Sequence, residues 1–385
     1  MGSLRRALWN HSRLGRHGDL NNLSEKKESN PLATIKEVAA RAGVSVTTVS
    51  RALNKRGYIS AEMYDRIDKA MNELNYRPNE VARSLTRRCT KIIGVLVPIV
   101  NNPFFAEVVS ELSKALSRHG YKMMLYTAMS NDDHAPDYIK MLKANQVDGI
   151  IVCLRGQAIE AELTDDLPAV SFERLKVGHL PTILCDNEAG GRLAARTLIE
   201  AGCRRPVMIG SFHNKSIPAY ARLEGFLAEL RAHSVEERYV QIYDDGTEET
   251  YDQISKTALE EYPDADGFFC SSDLVAAQLI HALNAIGKRI PQDVQVIGFN
   301  GNRFGQELSP PLTSIRQPVP EMCEAAVSCL IKQIGGESVP MDTIMPVSLI
   351  QRESTRHVCK RTSREPATRW RAARPRLWAS PARRS

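Results

Sequence analysis

The sequence has no hydrophobic run that approaches the ~20 residues of a membrane-spanning helix. Its first residues include Arg5, Arg6, Arg13 and Arg16 but no apolar stretch of the kind that a secretory signal requires. These two absences argue against a membrane protein and against an exported one. We therefore expect a protein of the cytoplasm.

Paired cysteines are also missing. The eight cysteines are scattered, and they form no Cys-x-x-Cys pair and lie in no histidine cluster. This distribution indicates reduced thiols and excludes a disulfide framework or a zinc site of the usual spacing. The chain also lacks a nucleophile–base motif and a phosphate-binding glycine loop, so we expect neither an enzyme nor a bound metal or cofactor.

Charge is unevenly distributed along a chain whose length suggests two to three domains. Residues 1–90 carry about 17 Lys and Arg against about 9 Asp and Glu, a net charge of roughly +8. Residues 360–385 are again near +8, so the middle of the chain is near −10. A basic segment attached to an acidic domain is typical of a protein that binds nucleic acid through phosphates.

A helix-turn-helix pattern begins at residue 34. Thr34 and Glu37 have the spacing of a capping box, and apolar residues then recur at helical intervals until Gly43, which can end the helix with a positive φ. Ser45 can cap a second helix over Val46–Leu53. Two short helices joined by a turn that contains Gly are typical of DNA-binding proteins, although a helical hairpin with another role would show similar spacing.

The second helix has the chemistry to read bases in a major groove. Val49 faces the partner helices, whereas Arg51 can bind guanine through two hydrogen bonds, and Thr47 and Val46 can contact base edges or a thymine methyl group. From this segment and the one that follows, the predicted DNA-binding residues are Thr34, Ser45, Val46, Thr47, Thr48, Ser50, Arg51, Asn79, Arg83 and Leu85.

A third amphipathic helix follows the cap residue Ser60, and a short basic segment comes after Pro78. Asn79 can cap a helix over residues 80–86, but so short a helix is unstable alone in water. Leu85 could insert between base steps in a minor groove, or it could be an ordinary buried leucine of a linker. The spacing alone does not choose between these two roles.

The motifs TIKEVAARAGVSVTTVSRALN and YRPNEVARSL resemble the LacI/GalR family of bacterial transcription regulators. The resemblance runs from about residue 33 to residue 355. It implies a homodimer that binds a palindromic operator, with base contacts at the positions of Val46, Thr47 and Arg51 and with an intercalating leucine at Leu85. It also implies a two-lobed, periplasmic-binding-protein-like core that closes on a sugar or a nucleobase.

From residue 91 onward, short apolar runs alternate with amphipathic stretches. Runs such as IIGVLV, KMMLYT, GIIVCL (Gly149–Leu154), AVSF, PVMIG, YVQIY, GFFC and VQVIGF predict buried parallel strands with helices between them. There are too many of these units for one doubly wound sheet, so two lobes are expected. The predicted fold is a small all-α helix-turn-helix domain followed by an α/β two-lobed domain.

Ligands of such folds bind outside the carboxyl ends of the strands. Polar and aromatic side chains follow several predicted strands, and together they suit a polyhydroxylated ligand. Asp or Asn at a strand end can equally cap a helix, and for Asp186 and Asp273 that alternative stays open. The predicted effector-binding residues are Phe104, Phe105, Arg174, Asp186, Arg222, Asp273 and Asn300.

The resemblance adds roles to some of these residues. Arg222 in ARLEGF corresponds to the effector-binding arginine of the family, and Phe104 and Phe105 correspond to ring-contacting positions in its purine-responsive branch. Asn300 in IGFNGN stands where the family usually has Asp. The stretches NEAGGRLAARTLIEAGC and SSDLVAAQLI look most like repressors of sucrose operons.

The chain is therefore predicted to be a cytoplasmic, nucleoid-associated repressor of a sugar operon, released by a sugar or sugar phosphate. A regulator that uses a phosphoprotein corepressor and a purine-responsive repressor are the alternatives within the family. A periplasmic binding protein would have no use for residues 34–88. The predicted segments are a disordered extension (1–32), the helix-turn-helix domain (33–78), a hinge helix (79–90), the effector-binding and dimerisation domain (91–360) and a basic disordered tail (361–385).

Overall fold

The computed structural model describes residues 33–54, 57–77, 89–128, 135–154, 157–164, 166–173, 180–212, 215, 217–242 and 256–357. The chain divides into two compact units, Met1–Arg88 and Cys89–Ser385. The predicted extensions, 1–32 and 361–385, and the predicted hinge residues 79–88 lie outside the described residues. Among the helices that are described, none has the length and apolarity to cross a membrane.

The first unit contains three helices, α1 (Ile35–Ala42), α2 (Val46–Leu53) and α3 (Ala61–Glu73). All three predicted caps are present: the Thr34–Glu37 capping box, Ser45 before α2 and Ser60 before α3. Gly43 has a φ of 64°, which lets the chain leave α1 and turn at once into α2. The helices enclose a small core of Val38, Ala39, Ala42, Val49, Ala52, Ile67 and Ala70.

The second unit begins with the alternating pattern that the sequence predicts. In chain order its first half contains β1 (Ile92–Val97), α4 (Pro103–Arg118), β2 (Lys122–Thr127), α5 (Ala135–Ala144), β3 (Gly149–Val152), α6 (Gln157–Glu162), β4 (Ala169–Phe172) and β5 (Thr182–Cys185). The strands predicted from IIGVLV, KMMLYT and AVSF have these bounds, whereas the GIIVCL strand ends two residues earlier, at Val152.

The second half continues with α7 (Asn187–Glu200), β6 (Pro206–Gly210), α8 (Pro218–Ala232), β7 (Tyr239–Gln241), β8 (Gly267–Cys270), α9 (Asp273–Ala285), β9 (Gln295–Asn300), β10 (Thr313–Arg316), α10 (Val319–Ile334), β11 (Asp342–Met345) and β12 (Ser348–Ile350). Residues 256–261 are helical, and Arg303–Gln306 form a 3-10 turn.

These strands form two six-stranded sheets, in the orders β11-β5-β4-β3-β1-β2 and β12-β10-β9-β8-β6-β7. The described pairings are parallel except that β12 runs antiparallel to β10. The chain crosses from one sheet to the other after β5, after β10 and between β11 and β12. Two lobes joined by three crossings confirm the predicted fold class.

Both faces of each sheet are covered, as near-continuous apolar strands require. In β1, Ile93, Val95 and Val97 belong to a large core that includes residues of both lobes, whereas Leu96 belongs to a separate core on the opposite face. In β6, Met208 faces the shared core, whereas Val207 and Ile209 face another. The period-two alternation of the strands therefore builds one central core and two outer cores.

Candidate DNA-reading helix and effector site

Helix α2 presents a polar face beside its buried one. Val49 and Ala52 are buried, whereas Val46 is 40% exposed and Thr47 and Arg51 are exposed. The Ser45 hydroxyl accepts a hydrogen bond from the backbone N–H of Thr48 at 3.1 Å, which starts the helix. The outward side chains at its N-terminal end have the chemistry that direct reading of base edges needs.

Other predicted DNA-binding residues form bonds within the unit. The Thr34 hydroxyl accepts from the Glu37 N–H at 3.4 Å, and the Thr48 hydroxyl lies 2.9 Å from the Ser45 hydroxyl. The half-buried Ser50 accepts from the Asn54 side chain through its carbonyl oxygen at 2.8 Å. These bonds shape the ends of the helices. Asn79, Arg83 and Leu85 lie outside the described residues.

Arg222 is the centre of a cluster that joins the two lobes. Although it is only 8% exposed, its guanidinium donates to the Asn187 side-chain oxygen and to the Ser271 carbonyl oxygen, both at 2.7 Å. It also lies 3.6 Å from the centroid of the Phe299 ring. We call this set the Arg222 cluster, and it consists of Glu173, Cys185, Asn187, Arg222, Ser271 and Phe299.

Glu173 supplies the negative charge of the Arg222 cluster. It directly follows β4, it is buried, and its φ of 49° is left-handed. One carboxylate oxygen accepts from the Cys185 N–H at 2.8 Å, and the other lies 3.6 Å from an Arg222 nitrogen. Burial lowers the pKa of the Arg222 guanidinium, while the nearby Glu173 carboxylate acts in the opposite direction. The ion pair connects a residue of the first lobe to one of the second.

Two glycines set the position of Arg222. A Cβ on Gly191 of α7 would lie 1.9 Å from the Arg222 carbonyl oxygen, and a Cβ on Gly225 of α8 would lie 2.0 Å from the Glu188 carbonyl oxygen. The backbones of α7 and α8 are thus in direct contact. This close packing brings Arg222 of α8 to Asn187 at the start of α7.

A second group of polar side chains lies at the ends of β9 and β10. Asn300 accepts through its side-chain oxygen from the Gln317 amide at 2.9 Å. The buried Asp273 carboxylate accepts from the Gly301 N–H at 2.9 Å and from the Ser314 hydroxyl at 2.5 Å. Burial raises the pKa of Asp273 to about 7, although these hydrogen bonds oppose the rise.

The structure distinguishes the two aspartates that could be caps. Asp186 caps α7, because its carboxylate accepts from the Ala189 N–H at 2.9 Å. Asp273 does not cap α9, whose cap is the Ser272 hydroxyl, which accepts from the Val275 N–H at 3.2 Å. The Asp273 carboxylate instead connects α9 to the ends of β9 and β10.

Two buried oxygens beside Asn300 have no hydrogen-bond partner among the described residues. They are the side-chain oxygens of Asn302 and Gln317, residues that are 6% and 2% exposed. A buried acceptor without a donor is costly, so such oxygens usually accept from a water molecule or a ligand. Both oxygens would accept from a hydroxyl group.

The other predicted effector residues are placed differently. Phe104 is buried in the central core and packs edge-to-face on the half-buried Phe105, with ring centroids 5.2 Å apart. Arg174 lies outside the described residues. From the sequence we did not identify Glu173, Ser271, Gln317 and Asn302 as site residues. Each of them directly follows a strand or lies near the end of one, and that position is the sequence feature that could have identified them.

Comparison with known proteins agrees with both parts of the chain. Residues 34–79 match the model of bacterial regulatory proteins of the lacI family, and residues 195–355 match that of a periplasmic binding protein-like domain. The sucrose operon repressor of Streptococcus mutans is 34% identical over 323 residues, which span 84% of this chain and 99% of that protein. The ribose operon repressor of Halalkalibacterium halodurans is 36% identical over 328 residues, 84% of this chain and 98% of that protein.

A solved structure extends the similarity to three dimensions. The lac repressor dimer bound to operator and the anti-inducer ONPF matches with a TM-score of 0.74 and 25% identity. The match spans 84% of this chain and 99% of that one.

Proposed function

Because this chain belongs to the lacI family of bacterial regulatory proteins, we propose that it represses a sugar-utilisation operon and is released from its operator by a sugar or sugar phosphate. Its helix-turn-helix unit is the DNA-binding part, and its two-lobed unit is the effector-binding part. The observation that carries the proposal is the buried Arg222 cluster, which joins the lobes at the carboxyl ends of their strands.

Arg222 and its neighbours have the chemistry to bind a polyhydroxylated ring. The Arg222 guanidinium is a donor, and the side-chain oxygens of Asn302 and Gln317 are acceptors to which no residue in the described part of the chain donates. Sugar hydroxyls can satisfy both kinds of group, because each hydroxyl donates and accepts. Asn300 keeps the acceptor of the usual family aspartate but not its charge. We include Asp186 and Asp273 in the proposed site because they follow β5 and β8, and Phe105 because it lies in the first turn of the helix that follows β1.

The relatives include sucrose and ribose operon repressors at 34% and 36% identity and a PurR repressor at 31% identity, and we place a sugar before a purine because of the higher identities. We place the DNA contacts at Val46, Thr47 and Arg51 and in the hinge at Leu85. Two copies of the chain would bind a palindrome, with one recognition helix in each half-site. A protein of this kind acts in the cytoplasm, on the nucleoid, and does not turn over its sugar.

The test begins with the full-length chain and random-sequence duplex DNA. We expect selection to recover a palindrome. The variant Arg51→Ala should bind this palindrome about 10-fold or more weakly and should show a weaker base preference at one base pair. Lys36→Ala in α1 is the control, because Lys36 is exposed and has no predicted base contact. Recovery of no preferred sequence would contradict the DNA-binding proposal.

The effector is then sought by calorimetry with sucrose, fructose, ribose and the phosphates of fructose and ribose. One of them should bind, weaken operator binding and be bound more weakly in the presence of operator by the same factor. Arg222→Lys should abolish this binding, because lysine cannot reproduce the planar set of donors. If none binds, and a phosphorylated carrier protein strengthens operator binding instead, the corepressor alternative replaces this one.

A further inference from the structure

The first residues of the second unit are held by a single carboxylate. Asp148, directly before β3, accepts four hydrogen bonds from three consecutive residues. Its oxygens accept from the Cys89 thiol at 2.7 Å, from the Thr90 N–H at 2.7 Å, from the Thr90 hydroxyl at 2.9 Å and from the Lys91 N–H at 2.9 Å. We call residues 89–91 with Asp148 the entry clamp.

Further bonds strengthen the entry clamp. The Thr90 hydroxyl lies 2.9 Å from the Gln146 carbonyl oxygen, to which it can also donate. Lys91 has a left-handed φ of 56°, its carbonyl oxygen accepts from the Lys122 N–H at 2.8 Å, and its ammonium lies 4.1 Å from the centroid of the Tyr121 ring. Hydrogen bonds to a charged carboxylate are about twice as strong as those between neutral groups.

The second lobe contains a similar arrangement of an aspartate and a held segment, but that segment does not follow the predicted hinge. Asp266, directly before β8, accepts from the Arg204 N–H at 2.7 Å and from the Arg205 N–H at 2.8 Å, and the Cys203 thiol donates to its carbonyl oxygen at 3.3 Å. In both lobes the aspartate directly precedes the glycine that begins a strand, and the held segment leads into the neighbouring strand. The clamp is therefore part of the lobe architecture, and in the first lobe the segment that it holds directly follows the predicted hinge.

We propose that Asp148 is a positioning residue for operator binding: by holding residues 89–91, it fixes the end of the DNA-contacting hinge. This inference rests on the proposed function. Residues 79–88 are joined covalently to Cys89, so the entry clamp determines where the hinge leaves the unit. A segment too short to hold a helix alone gains order when its end is fixed, because a fixed end has less conformational entropy to lose.

The test compares Asp148→Asn with Asp266→Asn in the full-length chain. Each substitution removes one carboxylate charge and directs an amide N–H₂ towards backbone donors. We expect both variants to have lower melting temperatures, and Asp148→Asn to have the larger reduction, because the Asp148 carboxylate accepts four hydrogen bonds and the Asp266 carboxylate two. Only Asp148→Asn should also weaken binding to the selected palindrome, by about 10-fold, the change that the loss of one charge-assisted hydrogen bond predicts. Its affinity for the releasing sugar in the absence of DNA should stay within twofold of the unmodified chain.

Thr90→Val provides a second measurement in case Asp148→Asn does not fold. This change keeps the side-chain shape and removes the hydroxyl bonds to Asp148 and to Gln146. It should weaken operator binding by about threefold to tenfold. Equal operator affinities for Asp148→Asn and Asp266→Asn, or an unchanged affinity for Thr90→Val, would overturn the inference. Failure of the unmodified chain to bind any palindrome would instead overturn the proposed function, and the inference with it.

Discussion

The Glu173–Arg222 ion pair gives the sharpest test of the effector site. Both side chains are buried, with exposures of 7% and 9%, and their nearest atoms are 3.6 Å apart. We consider the single variants Glu173→Gln and Arg222→Met and the double variant that carries both changes. Each single change leaves one buried charge without its partner, whereas the double variant leaves neither charge.

The expected magnitudes follow from that difference. After Arg222→Met the Glu173 carboxylate keeps its bonds to Cys185 but loses the positive charge beside it, so we expect a loss of about 3–5 kcal/mol in the free energy of unfolding. Glu173→Gln should cost less, because the guanidinium keeps its bonds to Asn187 and Ser271. The double variant should be more stable than Arg222→Met alone, with a coupling free energy of about 1–3 kcal/mol.

Urea unfolding followed by far-UV circular dichroism would measure these free energies. The control is the exposed pair Arg289–Asp293, whose nearest atoms are closer, at 2.6 Å. Its own double cycle, with Arg289→Met and Asp293→Asn, should show a smaller coupling than the buried pair, because solvent screens both charges.

The result that would refute this reasoning is additivity. If the losses of Glu173→Gln and Arg222→Met simply summed in the double variant, the two charges would not compensate each other across the lobes. A coupling in the exposed pair as large as that in the buried pair would also contradict the argument, because burial would then not be its cause.

Two further predictions follow from the same part of the molecule. Gly225→Ala should destabilise the second unit by about 1–3 kcal/mol and weaken sugar binding, because the new methyl group would meet the Glu188 backbone at 2.0 Å. The control is Ala228→Gly, later in the same helix, which should lower stability but preserve sugar affinity. The opposite pattern of sugar affinities would disprove the packing argument. The pKa of Asp273 is raised from an ordinary 3.8 to about 7, so the folded state binds the proton of this carboxyl group more tightly than the unfolded state does. Asp273 should therefore lower the free energy of unfolding as the pH rises from about 4 to about 7. The difference in unfolding free energy between the unmodified chain and Asp273→Asn should therefore change across that interval, and a constant difference would show that Asp273 does not titrate there.

Much of the fold could be predicted because its signals are local. The caps Thr34, Ser45 and Ser60 act on backbone groups within three residues, and strands such as AVSF and GFFC are bounded by residues that break them. Strand β10 was not predicted, because its sequence TSIR contains a single apolar residue. Strands β11 and β12 were not predicted either. They are short and only partly buried, so their apolar pattern is weak, and their order depends on which sheet edge each one reaches.

The candidate site was only partly predictable. Arg222 was identified by its place in ARLEGF, but its acidic partner was not, because nothing near Glu173 in the sequence indicates an ion pair. The partners of Asp273 were not identified either. An aspartate at this position suggested a helix cap, but its carboxylate instead connects β9 to β10. In both cases the partner is distant in the chain.

The sequence by itself determined the helix-turn-helix, the alternation of strands and helices, and the family, because each depends on neighbouring residues or on a continuous motif. Only the tertiary structure decided the long-range partners. It brings Arg222 to Asn187 across 35 positions and Asp148 to Cys89 across 59. Such contacts arise where α7 and α8 meet at two glycines and where a carboxylate at the start of one strand faces the segment before another. Their formation depends on the packing of whole elements, which local propensity does not encode.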